Sequence, residues 1–336
     1  MTASMTSTGG TAGHTPLETI ARDALRLGTG GRLPTTLHYQ EALEVGSGTV
    51  QKALKELQHE GAVSLVARGH MGTFITELDT ALLWSAARLS PVHLLLPPNA
   101  PPESLRVASA VAERFAPFGA FTTVGHLRGA EARLHALDAQ RADIAVMSAG
   151  AARDLLDTEE AGHRTLTLEP GTYYAPGTLV VVTRTPARDG TTGSSAPVNP
   201  GDLRIGIDPG SDDHKRLTRA EFPPGSGQHV ETDFTHVPRA VLLGEIDAGI
   251  WHTVDSLIPL DAAGLTVAPL RRPEAVALAD RISPAVLVAT RDNIPGILLA
   301  RSLTEDPSLT PTAEPELHGP PQVRDPLRLR LEQHQG

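Results

Sequence analysis

The stretch "GGRLPTTLHYQEALEVGSGTVQKALKELQHEGAVSLVARGHMGTFI", residues 30–75, decides how the N-terminal part of the chain folds. Its apolar pattern changes character along its length. A short helix over about Thr36 to Leu43 would turn Leu37 and Ala42 to a core. After the break at "EVG", Val50, Ala53, Leu54 and Leu57 fall on one face of a further helix, with Ser47 as its candidate N-cap. Gly61 closes that helix, and "AVSLVARGHMGTFIT" reads as two short strands around the turn Gly69 to Gly72. Upstream, Thr15, Pro16 and Glu18 spell a capping box with proline in the first turn. Leu17, Ile20, Ala21, Ala24 and Leu25 continue at helical spacing until the glycine stop "LGTGG".

Three helices and a hairpin make a winged helix-turn-helix, in which the third helix enters the major groove of double-stranded DNA and the wing follows the backbone or the minor groove. Charge placement agrees. The chain has a net charge of −10 and three lysines, of which Lys52 and Lys55 lie on the third helix. Residues 1–76 carry six Arg and Lys against six Asp and Glu, so the remainder of the chain holds the whole acidic excess. A neutral head can meet a polyanion only through local arrangement, and Lys52 and Lys55 are that arrangement. The candidate DNA-contacting residues are Arg32, Thr35, Thr36, Ser47, Thr49, Gln51 and Lys52 with Arg68 and His70 of the wing. Gln51 has the chemistry to read adenine, and Lys52 to meet guanine or phosphate.

The same residues resemble the GntR-type winged helix. Gly31, Leu33, Pro34 and Thr35 match its opening pattern; Ser47, Thr49, Val50, Ala53, Leu54, Leu57, Glu60 and Gly61 match its recognition helix; Gly69, Gly72, Thr73 and Phe74 match its wing. The wording "GSGTVQKAL…EGAVSLVARGHMGTFI" is similar to the YhfZ-type branch, in which such a head precedes a solute-binding-type effector domain. The resemblance implies a DNA-binding regulator. Position 48 departs from it, being Gly where the GntR pattern commonly carries an Arg that contacts bases or phosphate. Readout then has to come from Thr49, Gln51, Lys52 or the wing.

The rest of the chain alternates strands and helices. "VHLLLP", "FTTVGHL" and "ADIAVMS" read as strands separated by the helices "SLRVASAVAERFAPF" and "GAEARLHALDAQ". After the Gly/Ser/Pro-rich patch "ARDGTTGSSAPVNPGD" a second cycle runs through "LRIGID", a helix from about Asp212 to Ala220, "VPRAVLLGEIDAGIW" and "LTVAPL". Such alternation predicts parallel sheets with crossover helices. Both cycles end a helix shortly before an Asp that begins a short apolar strand, Asp143 in "DIAV" and Asp247 in "DAGI", which assigns both a structural role. Two α/β lobes joined by extended segments such as "TLVVVTR" and "AVLVATR" resemble the type 2 periplasmic-binding-protein fold. The expected fold class is α/β: an N-terminal winged helix-turn-helix followed by a two-lobed domain of that type. The expected division is a disordered N-terminus over 1–14, the DNA-binding domain over 15–76, a helical linker over 77–90, the effector domain over 91–305 and a mobile tail over 306–336.

In open α/β sheets ligands sit beyond the carboxyl ends of strands, facing helix N-termini. That rule nominates Asn99, Arg128, Gly129, Ser148, Asp208, Gly210, Ser211, Trp251, His252 and Thr253 as ligand-binding residues. Arg128 suits a carboxylate or phosphate, which makes the expected effector anionic; Trp251 suits an apolar wall. No catalytic constellation emerges from P-loop, G-x-S-x-G or H-E-x-x-H patterns, and the fourteen histidines show no tight metal-ligand pairing. "DPGSDDH" reads as the acidic start of a surface helix in preference to a metal site. No cofactor is expected.

With no cysteine the chain lacks disulfides and thiolate metal sites, which fits a reducing compartment. The N-terminus has no basic region followed by an apolar run, and the apolar stretches are far shorter than the ~20 residues of a membrane span. A cytoplasmic homodimer that regulates transcription in response to a small molecule is the leading expectation, with no membrane partner. An enzyme on the same scaffold with a vestigial head is the alternative, and an exported solute receptor a third.

Overall fold

The structure, a computed structural model, describes residues 14–98, 100–156, 162–185, 202–253, 260 and 262–304. The expected disordered N-terminus, apart from His14, and the expected tail over 306–336 lie outside the described residues, as does Asn99. The chain forms two compact units. One runs to Val92 and takes in Glu113–Phe121; the other comprises His93–Ala112 and the residues from Thr122 onward.

The first unit begins with α1 (Pro16–Leu27), α2 (Thr36–Leu43) and α3 (Ser47–His59). It continues with the antiparallel pair β1 (Val63–Ala67) and β2 (Thr73–Leu78), then α4 (Thr80–Ala86). The capping box forms as its sequence requires: the Thr15 hydroxyl accepts from the Glu18 N–H at 3.3 Å, and the Glu18 carboxylate accepts from the Thr15 N–H at 3.2 Å. Ile20, Leu25, Val50, Leu57, Ile75 and Leu83 are fully buried and supply the core.

Two expectations for this unit need correction. Leu37 is 61 % exposed and Ala42 is exposed, whereas Tyr39 is buried. A helix of only two turns turns one narrow face inward, and the ring of Tyr39 fills it while its hydroxyl donates to Asp23 Oδ2 at 3.0 Å. Ser47 is not the N-cap: Gly46, with extended dihedrals, takes that place, and no side chain caps α3. The linker is helical over α4, where Leu83 and Trp84 are buried within the first unit. Trp84 packs on Phe115, their ring centroids 6.0 Å apart.

The second unit has two lobes. The chain enters with β3 (Val92–Leu96), α5 (Pro102–Phe115), β4 (Thr122–His126), α6 (Ala130–Asp138), β5 (Ile144–Ser148), α7 (Ala149–Leu156) and β6 (His163–Thr167). It crosses to the second lobe, which contains β7 (Leu179–Arg184), β8 (Arg204–Ile207), α8 (Asp212–Glu221), β9 (Gln228–Glu231), α9 (Val237–Leu243), β10 (Ala248–His252) and β11 (Leu265–Pro269). It then returns through α10 (Pro273–Ile282) to β12 (Ala285–Thr290) and α11 (Ile294–Thr304). The first sheet has the order β4-β3-β5-β12-β6 and the second β11-β7-β10-β8-β9.

The sheets are mixed, where alternation alone predicts parallel ones. β3 is parallel to β5, and β8 is parallel to both β9 and β10. β12 runs antiparallel to β5 and β6, and β7 antiparallel to β10 and β11. The segments "TLVVVTR" and "AVLVATR" are therefore not free connectors: each is the strand that enters a lobe after a crossing, and arriving from the other lobe it runs against its neighbours. The two crossings lie side by side, because the N–H groups of Tyr173 and Tyr174 donate to the Ser283 carbonyl at 2.9 and 3.2 Å.

Asp143 and Asp247 have the structural role their position implies. Asp143 accepts from the His93 N–H at 2.8 Å and from Asn293 Nδ2 at 2.9 Å. Asp247 accepts from the Arg204 N–H at 2.8 Å and holds the Arg204 guanidinium through both oxygens. Each carboxylate thus ties the start of its own strand to the start of the parallel strand beside it.

Candidate functional site

Two regions carry the candidate side chains, one in each unit. On the head, Ser47, Thr49, Gln51, Lys52 and Lys55 of α3 are all exposed. Among the described residues no carboxylate lies within 4.0 Å of either lysine. Thr35 is the N-cap of α2, its hydroxyl accepting from the His38 N–H at 3.1 Å, and Thr36 is the first helical residue. A Cβ at Gly48 would meet nothing within 4 Å, so the surface of α3 is open where the GntR pattern carries Arg.

The wing is held by two arginines. The Arg68 guanidinium lies 5.0 Å from the centre of the Phe74 ring, and Phe74 forms a β-bridge with Arg32. The Arg32 side chain covers Gly72, where a Cβ would sit 2.7 Å from Arg32 Nε. Gly72 also has φ +99°, a dihedral that favours glycine here. Among the candidates, Arg68 thus sits on the Phe74 ring and Arg32 on the neighbouring Gly72; His70 is exposed in the turn between the strands.

In the second unit a cleft of about 610 Å³ opens between the lobes. Arg128, Gly129, Ser148, Asp208, Gly210, Ser211, Trp251 and His252 line it, as the strand-end rule requires. Thr253 is not among the lining residues; its N–H donates to the Thr178 carbonyl at 2.8 Å. These nominated residues are delivered by a strand end or the helix after it: Arg128 and Gly129 between β4 and α6, Ser148 at the end of β5, Asp208 and Gly210 after β8, Ser211 at the cap of α8, Trp251 and His252 at the end of β10.

The chemistry differs from the expectation for Arg128. One terminal nitrogen of its guanidinium donates to both oxygens of Asp208, each at 2.9 Å, and the other bonds Asp233. The residue is a bridge from one lobe to two carboxylates of the other, and its charge is matched within the protein. Asp208 also accepts from the N–H groups of Gly210 at 2.8 Å and Phe234 at 3.1 Å.

"DPGSDDH" needs correction too. Asp212 is exposed, but Asp213 and His214 are buried. His214 Nδ1 accepts from the Asp208 N–H and its Nε2 donates to the Ile250 carbonyl, each at 2.9 Å. Both ring nitrogens are occupied, which leaves none for a metal, and burial pushes the imidazole pKa down. Asp213 reaches across the cleft to the other lobe: its Oδ2 accepts from the Ser148 hydroxyl and, at 3.4 Å, from the Tyr174 hydroxyl. Its Oδ1 has no partner and lies over Gly150, where any side chain would collide with it. Burial pushes the Asp213 carboxyl up to about 6, against the opposing pull of Ser148 and Tyr174.

Arg133, Asp213, Asp233, Tyr173 and Tyr174 also line the cleft and escaped the sequence reading. For Arg133 a signal existed: it shares the inward face of α6 with Ala136 and Leu137, so a cation stands on an apolar stripe. For the tyrosines no strand-end rule applies, because they sit on a crossing between lobes.

Two family models match the chain. Residues 28–75 match the family model described as a helix-turn-helix domain, the kind of module that binds DNA, and residues 79–314 match that of the YhfZ C-terminal domain. The chain is 29% identical over 270 residues to the uncharacterized protein YhfZ of Escherichia coli K12, covering 78% of this chain and 84% of that one. Among solved structures, YhfZ from Shigella flexneri aligns with a TM-score of 0.45 and 24% identity over 68% of this chain and 97% of that chain. An OxyR C206 mutant of Corynebacterium glutamicum aligns with a TM-score of 0.38 and 16% identity over 86% of this chain and 92% of that one. Since the C-terminal family model alone spans well over half of the sequence, the protein belongs to the YhfZ family.

Proposed function

We propose that the protein is a one-component transcriptional regulator, in which a GntR-like head binds double-stranded DNA and a small molecule held between the lobes of the second unit sets its DNA affinity. The observation that carries this reading is the presence in one chain of a helix-turn-helix with unpaired lysines on its third helix and a lobed domain with a 610 Å³ cleft at its strand ends. A regulator is the arrangement that uses both.

In this reading α3 approaches the major groove, with Thr49, Gln51 and Lys52 toward base edges or phosphates and Arg68 and His70 following the backbone. The protein acts as a homodimer on a near-palindromic operator, works in the cytoplasm and performs no catalysis. The ligand shifts DNA affinity only by as much as it prefers one arrangement of the lobes over the other. The bridge from Arg128 to Asp208 and Asp233 and the contact between Ser148 and Asp213 are interactions such a preference would act on.

Among the described residues no helix is long and apolar enough to cross a membrane. The test is a titration of the full-length protein against its own promoter region and against random DNA of equal length at several salt concentrations. The expected result is tighter binding to the promoter by at least about a hundredfold, since specific sites typically exceed non-specific DNA by 10³ or more. Equal affinity for both DNAs would sink the reading.

A further inference from the structure

Arg133 is a buried cation of the cleft with no ion-pair partner among the described residues. It is 3 % exposed and lines the cleft. One terminal nitrogen donates to the Leu127 carbonyl at 2.8 Å, and Nε has no acceptor. The guanidinium stands near the buried Tyr173 hydroxyl, whose pKa burial raises and the arginine opposes. Neither neighbour brings a negative charge, and among the described residues no carboxylate lies within 4.0 Å of Arg133. A guanidinium stays protonated across the working pH range of a protein, so it cannot shed the cost of burial as a carboxyl does.

A second feature points the same way. Arg133 sits one turn inside α6, whose N-cap is Gly129 with φ +85° and whose first turn has no side-chain cap. Gly129 and Ala130 line the same cleft. The open N–H groups and positive end of that helix favour an oxygen anion.

The carboxylates of the cleft do not argue for a cationic ligand. Asp208 and Asp233 are held by Arg128 and backbone N–H groups, and Asp212 by Lys215. Glu131 is exposed to solvent. Burial pushes the Asp213 carboxyl up to about 6, so it is neutral only below that pH.

We propose that Arg133, together with the uncapped N-terminus of α6, is the oxyanion-binding element of the cleft, and that the effector is a small molecule bearing a carboxylate or phosphate. This rests on the cleft being an effector site. It moves the anion contact from Arg128, which is engaged, to a residue five positions later.

The experiment uses the full-length protein in thermal-shift and calorimetric titrations with succinate, glycerol phosphate, the neutral isostere succinamide and the diamine putrescine. Succinate or glycerol phosphate is expected to raise the melting temperature, while succinamide and putrescine leave it unchanged. In Arg133→Lys the oxyanion binds about tenfold more weakly, since an ammonium replaces the planar fork; in Arg133→Met the response disappears. Arg133→Met without ligand is expected to melt at the same temperature as the parent or higher, because it removes an unmatched buried charge.

An oxyanion response that survives in Arg133→Met, or a response to putrescine alone, overturns the proposal. If none of the four probes binds, the ligand-free variant decides: a melting temperature lowered by more than about 4 °C, the shift of roughly 1 kcal/mol or more in a domain of this size, marks Arg133 as structural and ends the proposal. An unchanged or raised one supports it. Oxyanion binding that leaves promoter affinity unchanged would sink the regulatory reading and leave the Arg133 site standing. Promoter affinity that answers to the oxyanion in Arg133→Met as in the parent sinks this proposal alone.

Discussion

The exposed face of α3 and the cleft between the lobes hold their charges in opposite ways. Lys52 and Lys55 stand in water with no carboxylate within 4.0 Å among the described residues. In the cleft, Asp208, Asp213 and Arg133 are at least nine-tenths buried, and each carries constraints from the rest of the fold. A charge in water costs little to leave unpaired, so a surface can keep its lysines free for a polyanion. A charge taken out of water needs a partner, a proton or a ligand. The difference teaches that the type of residue is enough to nominate a surface contact, whereas in the cleft the pairing decides which of several charged residues remains available.

The strongest way to break that contrast is to remove a buried partner. Asp208→Ala leaves the N–H groups of Gly210 and Phe234 without their acceptor and takes from Arg128 one of its two carboxylates. It is expected to lower unfolding free energy by about 3 kcal/mol, the lower end for a buried pair because the Arg128 side chain is 52% exposed. Chemical denaturation measures this, and a loss below about 1 kcal/mol would show that the bridge is solvated in practice.

Asp213→Asn sharpens the contrast with the opposite sign. The folded-state pKa is raised from 3.8 to about 6, so between those values the folded chain holds the proton more tightly than the unfolded chain. Stability contributed by this group therefore falls as pH rises through that window and is lowest above it. The amide removes the penalty: the variant should exceed the parent by roughly 2–3 kcal/mol at pH 8, from about 1.4 kcal/mol per pKa unit, and lose most of that advantage at pH 4.5. Melting curves at the two pH values would refute the idea if the difference between the proteins did not depend on pH.

On the head the effects should be smaller in stability and visible in DNA binding. Lys52→Ala and Arg68→Ala are each expected to weaken promoter binding about tenfold. If the lost contact is to phosphate, the salt slope falls by about one unit, and melting is unchanged within about 0.5 kcal/mol. Anisotropy titrations at three salt concentrations check this; undiminished affinity in both variants removes the contact assignment. Smallest is Gly48→Ala, expected to stabilise by at most about 1 kcal/mol by removing a flexible residue from a helix with open space around it. Gly48→Arg at the same site should tighten DNA binding and steepen its salt dependence.

Much of the architecture was legible along the chain. Helix periods, the capping box at Thr15 and the glycines at 61 and 72 placed the elements of the head, because these are local rules whose partners lie within a few residues. The strand-end rule likewise nominated eight residues that do line the cleft. It could not separate Arg128 from Arg133, because that depends on Asp208 and Asp233, 80 and 105 positions away from Arg128. Nor could alternation reveal that the sheets are mixed, since β7 and β12 take their direction from crossing between lobes.

The sequence by itself determined the order of helices and hairpin in the head, which side chains α3 presents to water, and that Asp143 and Asp247 open their strands. Short-range hydrogen bonds and hydrophobic period carry that information. Only the tertiary structure decided which charges are matched, which carboxyl is pushed toward neutrality and which arginine has no ion-pair partner. Those outcomes depend on burial and on partners brought together from distant parts of the chain, where removal from water makes each pairing matter.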